Sequence, residues 1–462
     1  MKKSLFALAA LGAIASTAQA QSSVTVYGVI DEAYVGANTR IANPAAGTSG
    51  GTVNGVATSY PATTTGGVNG VTNTTQSTIN SGAESTSRLG FKGNEDLGGG
   101  LSAFFTYELG LNPNAAQVIN MDQTQTRQAF VGLKKAGVGQ FALGTQYTTI
   151  FNAASQSDPG MMNNMMGNVI YDKGTGVAPT VGTAATVSAY QPGSPAYQYS
   201  GMQNNTSFTV RAANMLSVAT DTFSGFQGNG FIVLNNVNTN QTSVAASSSG
   251  YAASSGTTNH TAWGLGANYT WQKLFVTANY QNFTDKNPYA LNPTNGVYSA
   301  GSPVQGYYAG QNGVGTNDKD NQQYYAATYD FGILKAYVQY VNRKTLDVNN
   351  SSNYLARTAQ QIGVRSFVTP VVEAWASAGT GKLTVGTGSA GSNSFVGGTS
   401  SIGTNSANFG GFQLGTNYYL SKRTNLYAIY GQERTSNQSY TSGANPVSYN
   451  ANNYALGVRH TF

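Results

Sequence analysis

The chain has 462 residues, no cysteine, 57 glycines and 29 tyrosines, and only 9% of its residues are charged. Soluble proteins carry charge on about a quarter of their residues, so an ordinary soluble domain fits poorly, and the lack of cysteine excludes a disulfide-stapled scaffold. Twenty-three basic and 17 acidic residues give +6, or +4 once Lys2 and Lys3 are set aside; that is too small and scattered for a nucleic-acid surface, yet it would matter in a narrow pore whose low-dielectric walls focus the field.

Residues 1–20 read as a signal peptide: Lys2 and Lys3, an apolar stretch at 5–14, then the small-x-small site Ala18-Gln19-Ala20. The mature chain is expected to start at Gln21. Beyond this leader no run of 18 apolar residues occurs and mean hydropathy is −0.25, which excludes helical membrane spans. A membrane barrel reconciles these facts, because an apolar outer half and a polar inner half average to mild hydrophilicity.

A first strand is expected at 24–35, with Tyr27, Val29 and Asp31 on one face, and with Asp31 either a lumen acid or, by preference, a counter-charge to a nearby arginine. Residues 42–84 are rich in Gly, Thr, Asn and Val without periodicity and read as a long surface loop. Hairpins follow at 87–93 with 101–107, joined through Gly98-Gly99-Gly100, and at 126–133 with 140–147. Residues 152–212 show no strand pattern, and so long a tract inside a compact domain points to a functional loop. Strands resume near 215–223 and 226–235.

The C-terminal half repeats one unit. Trp263, Leu265, Ala267, Tyr269 and Trp271 alternate with small or polar residues, and Leu274, Val276, Ala278 and Tyr280 do the same after a tight turn. Further pairs are expected at 322–331 with 333–345, 359–369 with 371–385, and 409–421 with 423–435. In the last strand Tyr454, Leu456, Val458, His460 and Phe462 share one face, opposite Ala455, Gly457, Arg459 and Thr461. From Tyr454 to Phe462 the chain extends ~26 Å, or ~20 Å vertically at ~40° tilt, near the ~25 Å apolar band of an outer-membrane barrel. Connections alternate short and long. The count reaches about sixteen strands, so the expected fold is an all-β transmembrane antiparallel β-barrel over residues 21–462.

The blocks Val24-Thr25-Val26-Tyr27-Gly28-Val29-Ile30-Asp31, Ser87-Arg88-Leu89-Gly90-Phe91-Lys92-Gly93-Asn94-Glu95-Asp96-Leu97-Gly98 and Arg127-Gln128-Ala129-Phe130-Val131-Gly132-Leu133, together with the terminal Phe462, resemble the trimeric general porins of Gram-negative outer membranes, of the β-proteobacterial type. The resemblance implies long extracellular loops, one of them folded into the channel, and a constriction with a basic wall facing that loop. Arg88, Lys92 and Arg127 match the basic wall, and Arg211, just before the sixth strand, matches a further member. The tract at 152–212 stands where the constriction loop belongs, with Asp158 and Asp172 as acidic partners. It departs from many relatives in being longer, in carrying Met161, Met162, Met165 and Met166, and in lacking a Pro-Glu-Phe-Gly-Gly stretch.

The implied function is passive diffusion of small hydrophilic solutes and inorganic ions across the outer membrane, with mild anion preference, by a homotrimer that contacts outer-membrane lipid. Tyr454 and Phe462 resemble the signal read by the barrel-insertion machinery. Alternatives are a substrate-specific channel for organic anions, an adhesin and an outer-membrane hydrolase. His260 and His460, the only histidines, lie in no metal-spaced cluster, Gly98-Gly99-Gly100 lacks the Lys-Ser/Thr of a phosphate loop, and Asp318 and Asp320 lack the full spacing of a cation loop. No cofactor, metal or nucleic-acid partner is expected, and Arg459 is placed outside the filter.

Overall fold

The structure is a computed structural model that describes residues 23–43, 50–53, 56–59, 70–114, 126–172, 203–238, 244–247, 250–253, 257–287, 316–348, 351–387, 403–438 and 447–462. The expected signal peptide lies outside the described residues, as does part of the long tract, 173–202.

Among the described residues seventeen strands form the wall, with a two-residue strand at Gln203–Asn204 added beside the seventh: β1 (Ser23–Asn43), β2 (Gly70–Ser81), β3 (Arg88–Gly98), β4 (Leu101–Gly110), β5 (Thr126–Lys135), β6 (Gly139–Tyr147), β7 (Thr209–Thr220), β8 (Phe226–Asn238), β9 (Thr257–Trp271), β10 (Leu274–Asn287), β11 (Thr316–Asp330), β12 (Lys335–Asp347), β13 (Tyr354–Thr369), β14 (Val372–Thr387), β15 (Gly403–Tyr419), β16 (Thr424–Gln438) and β17 (Val447–Thr461). Each pairs antiparallel with its neighbours, and β17 pairs with β1 from Val29↔Thr461 to Ala42↔Ser448. Closure removes both sheet edges. β2 and β3 occupy one position in the wall, since β1 pairs with β3 over Ser23–Val29 and with β2 over Glu32–Asn43. The barrel therefore has sixteen positions, as the alternation predicts.

Alternation builds the wall. On β17, Tyr454, Leu456, Val458 and Phe462 are exposed on the outer face, while Ala451, Asn453 and Ala455 are buried inside. The two aromatics also cover the seam. A Cβ added at Gly28 would lie 2.2 Å from the Phe462 ring, and one at Gly36 would lie 2.2 Å from the Tyr454 ring, so the rings rest on the bare glycine backbone of β1. Gly28 and Phe462 exchange both backbone hydrogen bonds at 3.1 Å. At one rim the connections run two to five residues; at the other they are longer.

The structure corrects the sequence reading at three places. Residues 42–84 are not one loop, because they contain β2. Its sequence, Gly-Val-Thr-Asn-Thr-Thr-Gln-Ser-Thr-Ile-Asn-Ser, has almost no apolar side chains to mark alternation, and pairing with β1 makes it a strand. The tract at 152–212 begins and ends in regular structure: helix α1 (Thr149–Ser157) opens it, and β7 begins at Thr209, so Arg211 lies within the sixth wall position. Most strands extend beyond the expected bounds at the long-loop rim. Fifteen residues span ~50 Å, or ~38 Å vertically, more than an apolar band needs, and the extra length, such as Asp318–Asn321 of β11, is polar on both faces.

Candidate functional site

Two structures inside the barrel face each other, a cationic wall and a folded loop. Inward positions of β3, β5 and β7 carry Arg88, Arg127 and Arg211. Arg127 sits where the register between β4 and β5 shifts, which turns its side chain inward. Its Nε donates to Glu108 Oε1 at 2.7 Å and its Nη2 to the Tyr147 hydroxyl at 2.7 Å. The Tyr27 hydroxyl donates to the second oxygen of Glu108 at 3.0 Å. Arg211 lies over the Tyr147 ring, 5.5 Å from its centroid, and donates to the Thr126 carbonyl at 3.3 Å. Its Nε finds no hydrogen-bond partner among the described residues. Arg88 donates to Ser85 Oγ at 3.2 Å and lies within electrostatic reach of Arg127, Glu108 and Arg459.

Of the three guanidinium groups Arg127 alone bonds Glu108, and Arg88 and Arg211 lie within electrostatic reach of the same carboxylate. Lys92 stands apart, four residues or ~13 Å along β3, exposed, with its ammonium 5.4 Å from the Tyr27 ring centroid. Arg459 and Glu108 belong beside the cluster although the sequence reading set the first aside and overlooked the second. Both were readable from parity, which turns them inward. Among the described residues Asp31 pairs with no arginine; its oxygens accept from the Tyr427 hydroxyl and the Ser85 amide.

The loop leaves β6 through Thr148, whose Oγ1 caps α1 by accepting from the Phe151 amide at 3.3 Å. Ile150, Ala153 and Ala154 pack the helix onto Phe208, Val210, Tyr324, Ala326 and Val341 of the wall. The chain then runs along the wall, reaches its tip at Asn164 and Met165, and returns to Asp172. Wall side chains capture its backbone throughout. Arg365 donates to the Pro159 carbonyl at 2.8 Å, Arg357 to the Val169 carbonyl at 2.9 Å, and Gln413 to the carbonyls of Met165 and Met166 at 2.8 and 2.7 Å. Gln361 accepts from the Val169 amide at 3.1 Å. Glycines of the wall make the approach possible: a Cβ at Gly431 would fall 1.9 Å from the Met166 carbonyl oxygen, and one at Gly411 2.7 Å from that of Gly167.

Asp158 and Asp172 lie elsewhere than the sequence reading expected. Asp158 is buried and accepts from the Met162 amide at 2.8 Å, Asn168 Nδ2 at 2.8 Å and Gln361 Nε2 at 3.2 Å. Asp172 is buried against Arg357 at 3.0 Å. Both face the wall behind the loop, because a carboxylate without donors would be costly there and the wall supplies them. The exposed loop residues Asn152, Ser155, Gln156 and Met161 carry no carboxylate. The cationic wall therefore faces a neutral surface among the described residues. Arg343, Arg357 and Arg365, which hold the loop or its flanks, were missed because sequence alone does not pair them with residues 138 to 206 positions away.

A family model described as Gram-negative porin matches residues 7–438. An outer membrane porin protein of Bordetella pertussis is 29% identical over 182 residues, 37% of this chain and 43% of that protein. Outer membrane porin protein 32 of Delftia acidovorans is 39% identical over 108 residues, 23% of this chain and 22% of that protein. The matched stretches thus span less than half the length of these relatives. In three dimensions the chain is similar to the anion-selective porin from Comamonas acidovorans, with TM-score 0.57 and 17% identity over 96% of this chain and 100% of that one. It is also similar to the trimer form of OmpT from Vibrio cholerae, with TM-score 0.51 and 14% identity over 96% and 99%.

Proposed function

The chain belongs to the Gram-negative porin family, and from that premise we propose that it forms a water-filled outer-membrane channel for passive diffusion of small hydrophilic solutes and ions, assembled as a homotrimer and mildly anion-selective. One observation carries the selectivity: Arg88, Arg127 and Arg211 gather around the single carboxylate Glu108, bonded to Arg127, and face a loop surface whose exposed residues, among those described, bear no carboxylate. Charged rings set the selectivity of a pore, and a cationic excess inside low-dielectric walls raises the local concentration of anions.

Reversal potentials in planar bilayers test this reading. Wild-type protein should favour anions. Arg88→Glu with Arg127→Glu changes the wall by four charges and should reverse the preference, while the barrel, whose strands stay paired, keeps its heat-modifiable mobility. The preference should fade between 0.01 and 1 M salt, as the Debye length falls from ~30 to ~3 Å. A cation-selective wild type would refute the selectivity, and a protein without stepwise conductance would refute the channel. A narrower reading, a channel specific for organic anions, draws on Arg211, whose buried Nε is left without a hydrogen-bond partner; saturable conductance blocked by dicarboxylates would favour it.

A further inference from the structure

The second wall position is interrupted. Between β2 and β3 the chain leaves the ladder for residues 82–87, turning at Gly82 with φ of 80°. The interruption is built rather than frayed. Asp31 accepts from the Ser85 amide, its own amide donates to Ser87 Oγ at 3.0 Å, and its carbonyl accepts from the Gly82 amide at 2.9 Å and from Ser81 Oγ at 3.1 Å. The carbonyls of Gly82 and Ala83, freed from strand pairing, meet the tip of the loop. Asn164 donates its backbone amide to the Ala83 carbonyl at 3.0 Å and its side-chain Nδ2 to the Gly82 carbonyl at 2.6 Å and Thr86 Oγ1 at 3.2 Å. Beside it, Met165 is buried among Ala33, Val35, Ala83, Tyr427 and Ile429.

We propose that the 82–87 interruption is a receptor for the loop tip, and that Asn164 is a positioning residue that fixes the tip to the second wall position and so sets the open conductance. The hydrogen bonds that hold residues 159–169 elsewhere come from Arg357, Gln361 and Arg365 of β13, Gln413 of β15 and Asn453 of β17. Asn164 makes the far attachment, on the wall position that also carries Arg88. Without it the tip keeps the packing of Met165 and the bonds of Met165 and Met166 to Gln413 and Asn453, and it opens locally more often, because a loop's local opening follows the bonds that hold it. The inference rests on the reading of the lumen as a conducting channel. It also requires a strand interruption that an unbroken wall position would not provide.

Single-channel recording and amide exchange test it together. Asn164→Leu keeps size and charge and removes both side-chain donations. It should raise open-channel noise and lower the voltage at which channels close, with the reversal potential unchanged. Exchange of the 161–169 amides should quicken on the order of ten-fold, the loss of about two modest hydrogen bonds. Thr86→Val removes one acceptor on the wall and should show a smaller change of the same kind. In the double variant the effect should equal that of Asn164→Leu alone, because both act through one attachment. Additive effects, or Asn164→Leu traces and exchange that match wild type, overturn the proposal. If wild-type protein fails to conduct, the channel reading falls, while the exchange data still decide the attachment; should Asn164→Leu not assemble, Thr86→Val carries the test.

Discussion

Gly431→Ala is the smallest change that should move the loop. The added Cβ would sit 1.9 Å from the Met166 carbonyl oxygen, whereas ordinary contact begins at 3.4 Å, so the loop must retreat by about 1.5 Å. The wall cannot yield instead, because β16 is held on both sides by ladders to β15 and β17. Retreat stretches the Gln413 bonds to the Met165 and Met166 carbonyls, now 2.8 and 2.7 Å, and the Met166 amide bond to Asn453 Oδ1, now 3.3 Å. Overpacking costs about 1–3 kcal/mol and each weakened bond about 1 kcal/mol. Those losses fall on the loop, not on the barrel. The expected outcome in planar bilayers is a lower single-channel conductance at unchanged selectivity, with unaltered heat-modifiability. Gly228→Ala, where the nearest atom to an added Cβ is 3.8 Å away, is the control. Conductance of Gly431→Ala equal to that of the control would refute the tight seating of the loop.

Two further variants separate loop from barrel. Arg357→Met strips Asp172 of its 3.0 Å partner and leaves a buried carboxylate, a loss of about 3–5 kcal/mol; limited proteolysis should then cut within the loop while the barrel fragment persists. Deleting Phe462 removes the ring over Gly28 and the paired 3.1 Å backbone bonds that end the seam. Outer-membrane levels should fall several-fold, and the channels that do assemble should conduct normally; undiminished levels would count against an assembly role for this residue.

The arginines show how far one-dimensional reasoning reaches. Parity turns Arg88 inward, the register shift on β5 turns Arg127 inward, and the structure brings both, with Arg211, around Tyr147 and Glu108. Parity states only which face a residue occupies, however. It cannot rank Lys92, which shares that face but lies ~13 Å away along the strand. For Asp158 and Asp172 the sequence offered position in a loop and nothing about which side of the loop they would take. Their partners, Gln361 and Arg357, stand 203 and 185 residues distant.

What the sequence by itself determined is the wall apart from its second position. Alternation with period two, aromatic rows such as Tyr454 to Phe462 and an even strand number specify a closed barrel, because each follows from local side-chain direction and the need to cover lipid on one face. The interior and that second position were decided by the tertiary structure. There, polar residues on both faces mark β2 with no apolar rhythm, a strand interruption at 82–87 becomes an acceptor for Asn164, and Gly431 acquires its meaning from the Met166 carbonyl. Lipid imposes the same demand along the whole outer surface and so leaves a repeating trace in the chain. Hydrogen bonds across a lumen are satisfied pair by pair, between residues that only closure of the barrel brings together.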